Sequence, residues 1–258
     1  MRRKKKVLSG VFSVLIVALC LVPFLFVLVS SIFQGAGGVS FQAYYDVFLS
    51  TPRYLMRFWR SLFVCLGIAG GQMVVSVLAG YGFARYRFRG NSTMFFVLMI
   101  LMTLPLQVTL VPNYIILNKL HLLGTQAALI LPGIFMPLGT IIMRYTFVTI
   151  SDEIIDAAKL DGCGVLKILI KVAIPVSKGC LVCVGLLSFL DAWNMVEQPI
   201  AYLKEFDNYP LSVALAYVAP DNLSRQLVSC ILAALPPLLL FAFFKEELVR
   251  GIVFAEEK

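Results

Sequence analysis

The chain has 258 residues, of which 60% are hydrophobic and 14% charged; soluble domains carry about a quarter charged residues, so an ordinary water-soluble domain is excluded and a membrane protein indicated. The formal net charge of +8 is better explained by orientation in a bilayer and contact with anionic lipid than by nucleic acid. Of the 6 cysteines, Cys20, Cys65, Cys180, Cys183 and Cys230 lie in apolar runs and Cys163 in a segment predicted cytoplasmic, which gives no disulfide framework; the single His121 cannot build a histidine-rich metal site.

Spans are sought as charge-free apolar runs of about 20 residues, the length that crosses a bilayer core as helix. After the basic opening MRRKKK, the run Val7 to Phe33 is too long for the apolar region of a secretory signal and lacks a small-residue cleavage site, so it reads as a retained first span. Residues 34–60 are expected as an outer loop, with FQAYYDVF a short amphipathic helix on the surface. The second span is Ser61 to Ala84, where the Gly67 and Gly71 pair permits close helix approach. The third, Gly90 to Asn118, contains Pro105 and Pro112 and is predicted to be kinked twice; Pro23 similarly bends the first.

The fourth span is Leu122 to Met143 and the sixth Gln226 to Phe244. Between them Gly179 to Ala201 is taken as the fifth, although it contains Asp191 and Glu197, because an even count puts both termini on one side. Asn91-Ser-Thr and Asn222-Leu-Ser read as chance matches to the glycosylation pattern. With the N-terminus inside, the outer side holds only Arg53, Arg57, Arg60, Lys119, Lys204 and Arg225 of the 22 basic residues, which predicts an N-in, C-in topology.

The cytoplasmic connection after the fourth span, "IDAAKLDGCGVLKILIKVAIP" from Ile155 to Pro175, cannot cross a membrane. Ser151 is placed to cap a helix whose first turn holds Asp152 and Glu153, where negative charge suits the helix dipole. Gly162 is a left-handed stop, and a second short helix runs from Val165 to Ala173 until Pro175 disfavours helical geometry at Ile174. Asp156-Ala157-Ala158 offers a shallow patch beside a carboxylate, which reads as a docking element; an ordinary amphipathic loop is the alternative.

This stretch resembles the signature loop of permease subunits in bacterial ATP-binding-cassette importers, summarised as EAA, two residues, DG, nine to twelve more and Pro. Asp156-Ala157-Ala158 stands at EAA, Asp161-Gly162 at DG and Ile174-Pro175 at the closing pair. Asp156 is one methylene shorter than the usual Glu, which bears on the strength of that contact, and Gly179 stands where a second Pro often follows. "LAGYGFARYRFRG", "NYIILNKLHLLGTQAALIL", "MRYTFVTISDEIIDAA", "DAWN" with Pro199, and "LVRGIV" resemble, in order, the second permease of carbohydrate importers of the maltose type.

The resemblance implies an all-α integral membrane protein of the bacterial inner membrane, with six transmembrane helices in the type I importer permease fold. Its parts would be a basic tail and first span (1–33), the outer loop (34–60), a core (61–244) including the coupling loop 144–178, and a tail (245–258). It further implies a second permease, two ATP-binding subunits and an extracytoplasmic solute-binding protein. Asp156 would make a polar contact with the ATPase, Ala157 and Ala158 a close-packing face, Asp161 would stabilise the turn and Gly162 form the corner. The chain contains no GxxxxGK[ST] phosphate loop, so ATP belongs to the partner ATPase and no cofactor to this chain.

Ionisable groups within a span are functional candidates. Asp191, Asn194 and Gln198 fall at i, i+3 and i+7, one helical face, with Trp193 adjacent, a set able to hold a polyol. Against this, Asp191 and Glu197 near the outer interface would be reached by water, with Asn194 joining two helices. Gln107, Thr109 and Asn113 are weaker pathway candidates. The alternatives are import of a non-sugar solute such as glycerol phosphate, a channel or secondary transporter, and a membrane enzyme using Asp191, Glu197 and His121. Outer acidic residues balance the basic ones, so a strongly anionic substrate is not indicated.

Overall fold

The computed structural model describes the backbone of residues 2–33, 38, 40–50, 52–217 and 222–256, and side chains at 13, 15–33, 38, 40–49, 52–217 and 222–247. The side chains of the opening basic cluster, parts of the 34–60 segment and the stretch LVRGIV lie outside these. Among the described residues the regular elements are all helical. Two compact units are present, one made of 1–56 and 214–235, the other of 57–213 and 236–258.

In the first unit, α1 (Arg2–Ile32) is a single apolar helix that continues through Pro23. The FQAYYDVF segment forms a one-turn α2 (Gln42–Tyr45) extended by a π turn over Asp46–Ser50, burying Ala43 and Val47 on one side. Ser31 Oγ lies 2.8 Å from Tyr44 Oη, and Arg225 donates to Asp46 at 2.6 Å. The Asn222 side chain accepts from the Arg225 backbone N–H at 3.1 Å, a helix-capping role for the second glycosylation-like site.

α3 (Pro52–Arg85) starts at Pro52 rather than Ser61, because Pro at a first helical position gives up only a donor that has no intrahelical partner anyway. Its second-unit portion carries the small residues the sequence singled out: a Cβ on Gly67 would sit 3.3 Å from the side chain of Ile130. A Cβ on Gly71 would meet the Ile134 side chain at 2.5 Å, and one on Gly80 would meet backbone as well, Met143 Cβ at 2.8 Å and the Arg144 backbone nitrogen at 2.9 Å. Asn91, the other glycosylation-like residue, donates to the Tyr86 carbonyl at 2.7 Å and closes the turn after α3.

The third apolar run breaks once. α4 (Asn91–Met102) and α5 (Leu106–Lys119) meet at 105° across Thr103, Leu104 and Pro105. Pro105 disfavours helix at Leu104 and is itself extended, with ψ 142. Pro112 costs α5 one rung but does not interrupt it. α5 ends on backbone bonds from Leu122 to Leu117 and from His121 to Asn118, with His121 in the left-handed position usually given to glycine, φ 56. The lone histidine thus serves as a helix stop.

The fourth run is split into α6 (Ala127–Ile134) and α7 (Pro137–Val148). After the 151–177 segment, α11 (Lys178–Trp193) is preceded by α8 (Asp152–Leu160), α9 (Val165–Ile168) and α10 (Ile174–Val176) and followed by α12 (Glu197–Tyr202) and α13 (Leu211–Ala214). α14 (Leu223–Glu256) carries Pro236 and Pro237, and its one non-helical residue is Phe244, where the predicted sixth span ends. Among the described residues four helical stretches are long and apolar enough to cross a membrane, or up to six if each bent pair is one span.

Because Gly80 meets backbone as well as side chain, Gly80→Ala is expected to destabilise the protein by about 1–3 kcal/mol, the usual cost of overpacking. Gly70→Ala, where nothing lies within 4 Å, should not lower stability. Thermal unfolding in detergent separates them; equal melting temperatures would contradict the close approach.

Candidate functional site

The 151–177 segment is a helix, a corner and a second helix. Ser151 has the extended backbone of an N-cap, ψ 144, but its side chain makes no capping bond. Arg85 secures the helix start instead. From the end of α3 it donates to Asp152 Oδ1 at 2.6 Å and to the Ile150 carbonyl, so two bonds from one guanidinium fix the entry of α8. Asp152 in the first turn also suits the helix dipole.

α8 spans 9 residues, too few to be stable alone in water. It is held by Ile155, 5% exposed, in a core of Phe147, Ile150, Met143, Ile168, Leu169 and Ala173 among others. Full burial of one such aliphatic side chain contributes about 1.5–3 kcal/mol. The corner is closed by backbone: Gly162 N–H donates to Lys159 O at 2.9 Å and Cys163 N–H to Ala158 O at 3.0 Å, with Gly162 at φ 74. That pair of bonds, with Cys163 and Ala158 both packed on the core, is a complete left-handed helix stop.

The second leg differs from expectation at its end. Ile174 is helical, φ −62 and ψ −49, and the helix runs on through Pro175 to Val176. It does so by widening into a π turn over Leu169–Ala173; one extra residue in the turn accommodates the ring and missing donor that would otherwise break an α-helix. Ser177 then stops the helix, its hydroxyl donating to the Ala173 carbonyl at 2.7 Å, and α11 leaves at 82°.

The signature residues divide between two faces. Asp156, Ala157, Asp161 and Gly162 are exposed, whereas Ala158 is half-buried against the core, so the two alanines do not form one outward patch. Asp156 accepts from Lys159 at 2.8 Å, and that hydrogen bond pushes the lysine's pKa above its ordinary value. Leu160, 90% exposed, and Leu166 join the outward surface. Sequence reasoning passed over Leu160, whose signal is an apolar residue four places after Asp156 on the polar side of the helix.

The proposed polar face of the fifth span is not one face. α11 ends at Trp193, residues 194–196 break the helix, and Gln198 lies on the separate α12. Trp193 is 8% exposed, stacked on Phe189 at 5.6 Å and 15° and edge-on to Phe58 at 6.0 Å, which leaves no open ring face for a sugar. Asn194 ends α11 by donating to the Leu190 carbonyl at 2.8 Å, and Glu197 accepts from Gln107 at 3.0 Å. Asp191 and Asn194 do come together, on the wall of a cavity of about 360 Å³ also lined by Gln72, Met136, Leu187 and Ser188. Gln72 was not predicted; a lone amide inside an apolar helix is its only sequence signal.

Residues 72–244 match the family of binding-protein-dependent transport system inner membrane components, and the chain belongs to that family. It is therefore a permease component of a membrane transport system with no catalytic activity of its own. It is 27% identical over 209 residues to the arabinooligosaccharides transport system permease protein of Halalkalibacterium halodurans, covering 80% of this chain and 75% of the relative. It is also 27% identical, over 216 residues, to the sn-glycerol-3-phosphate transport system permease protein of Yersinia pestis, covering 81% and 75%. The fold matches a chain in a crystal structure of a bacterial ABC transporter involved in the import of the acidic polysaccharide alginate, with TM-score 0.86, 20% identity and coverage of 95% and 96%. The architecture is that of an ABC importer permease.

Since Arg85 holds the start of α8, Arg85→Ala is expected to loosen the segment and speed tryptic cleavage after Lys159 in the purified protein. Reversal of the pair, Arg85→Asp with Asp152→Arg, should recover part of the protection. Cleavage unchanged in Arg85→Ala would show that the core alone positions the loop.

Proposed function

We propose that this chain is one of two permease subunits of an ATP-driven carbohydrate importer, and that the 151–177 segment is its coupling element. One observation carries the coupling role: an exposed surface of Asp156, Ala157, Leu160 and Gly162 sits on a short helix fixed to α3 through Arg85 and to the core through Ile155. Force applied to such a surface moves the core helices with it, whereas a loosely held loop would absorb it. The partner's polar groups would meet the Asp156–Lys159 pair and its apolar groups Ala157 and Leu160.

The rest of the assembly follows from this reading: a second permease, two ATP-binding subunits carrying the ATP, and an extracytoplasmic solute-binding protein. The coupling surface then lies in the cytoplasm with both termini, in agreement with the distribution of Lys and Arg, and Arg57 and Arg60 lie outside. The relatives' transport of arabinooligosaccharide and glycerol phosphate supports a small hydroxylated solute. The order of the flanking motifs supports carbohydrate.

Gly162→Val tests the coupling role: a Cβ there meets nothing of this chain within 4 Å, so within the chain the change acts through the left-handed backbone, at a cost of about 1–2 kcal/mol, and on the docking surface it adds a side chain. In the reconstituted complex with its binding protein, the variant should lose solute-stimulated ATP hydrolysis and retain the partner permease. Full stimulation in the variant would contradict the coupling role, and absence of any copurifying ATPase from the wild type would contradict the importer assignment.

A further inference from the structure

The polar groups on the cavity wall share a property that the sequence does not reveal: Gln72, Ser188 and Asn194 each give a hydrogen to a backbone carbonyl. Gln72, only 3% exposed, spends an amide N–H on the Met136 carbonyl at 3.3 Å, and its Oε1 is buried with no protein partner. The amide cannot be reversed without placing its oxygen against that carbonyl oxygen. Ser188 donates its hydroxyl to the Val184 carbonyl at 2.7 Å, and Asn194 donates to Leu190 at 2.8 Å. Each keeps an oxygen as acceptor. Asp191 adds a carboxylate, and no Lys or Arg is among the residues lining this cavity.

From this geometry we infer that the cavity is a solute subsite in this subunit, formed by Gln72, Ser188, Asp191 and Asn194, which takes an uncharged polyol and rejects anions. A hydroxyl group can donate to the exposed Asp191 carboxylate or the Asn194 side-chain oxygen, and the Gln72 oxygen, buried in the same wall without a partner, costs about 1–3 kcal/mol unless a donor comes within reach. A phosphate or uronate needs the opposite, N–H donors or a cation, and meets a carboxylate instead. The remaining wall, including Met136 and Leu187, is apolar and suits the C–H faces of a sugar ring better than a small hydrated cation. A volume of about 360 Å³ is at the lower end for small-molecule sites, enough for a short piece of a saccharide. The inference rests on the importer reading above and narrows its solute class.

The test is equilibrium binding to the complete purified complex in lipid nanodiscs, without the solute-binding protein, using radiolabelled arabinobiose and sn-glycerol 3-phosphate as probes. Wild type is expected to bind arabinobiose at least tenfold more tightly than glycerol phosphate. Gln72→Leu should weaken arabinobiose about tenfold, and Asp191→Asn should narrow the gap between the two probes. Melting temperatures of the variants identify any that fail to fold, and Asp191→Asn carries the test should Gln72→Leu be one of them. Equal affinity for both probes, no binding of arabinobiose by wild type, or affinities unmoved in the folded variants would overturn the subsite. Copurification of the ATPase, scored on the same preparations, reports on the importer reading separately.

Discussion

A helix of 9 residues has almost no stability of its own in water, so what the 151–177 segment can do depends on the burial of Ile155. That side chain enters a core shared by α7, both legs of the segment and the start of α11, through Phe147, Ile168, Ala173 and Cys180. The backbone stop at Gly162 brings the second leg over the same core, and Arg85 adds the link to α3. The outward residues are therefore presented by a body with few internal degrees of freedom. A rigid connection of this kind is what converts a push on one surface into movement of a helix bundle.

Interruptions of the apolar helices follow a second constraint. In lipid, irregular backbone survives only where protein or a water-filled cavity covers it. Gln72 donates to the carbonyl of Met136 at the break between α6 and α7, and Asn194 to that of Leu190 at the end of α11. Both amides also line the cavity. Satisfying the broken backbone thus fixes how both amides are turned. The same economy joins the α5 and α12 breaks through Gln107 and Glu197.

Much of this was legible in the sequence because it rests on local rules. Charge-free runs located the long helices, Pro105 located the sharp bend, and the Asp161-Gly162 pair located the corner, since each is decided by residues close in the chain. What depended on distant partners was not legible. Pro175 was expected to end its helix at Ile174, but packing of Leu169 and Ala173 favours a π turn that carries the helix past it. The i, i+3, i+7 face of Asp191, Asn194 and Gln198 presumed an unbroken helix, and Asn194 is what ends it. Trp193 looked like a sugar platform until Phe58, far away in sequence, covered it.

The coupling role proposed for the 151–177 segment requires that it be rigid, and amide hydrogen exchange of the protein in lipid nanodiscs, with no ATPase present, measures that most directly. The N–H groups of Ile155 to Cys163 are predicted to exchange as slowly as those of neighbouring α7. Exchange at the rate of an unstructured peptide, with order appearing only when the ATPase binds, would show that the segment is assembled by its partner and would contradict the account.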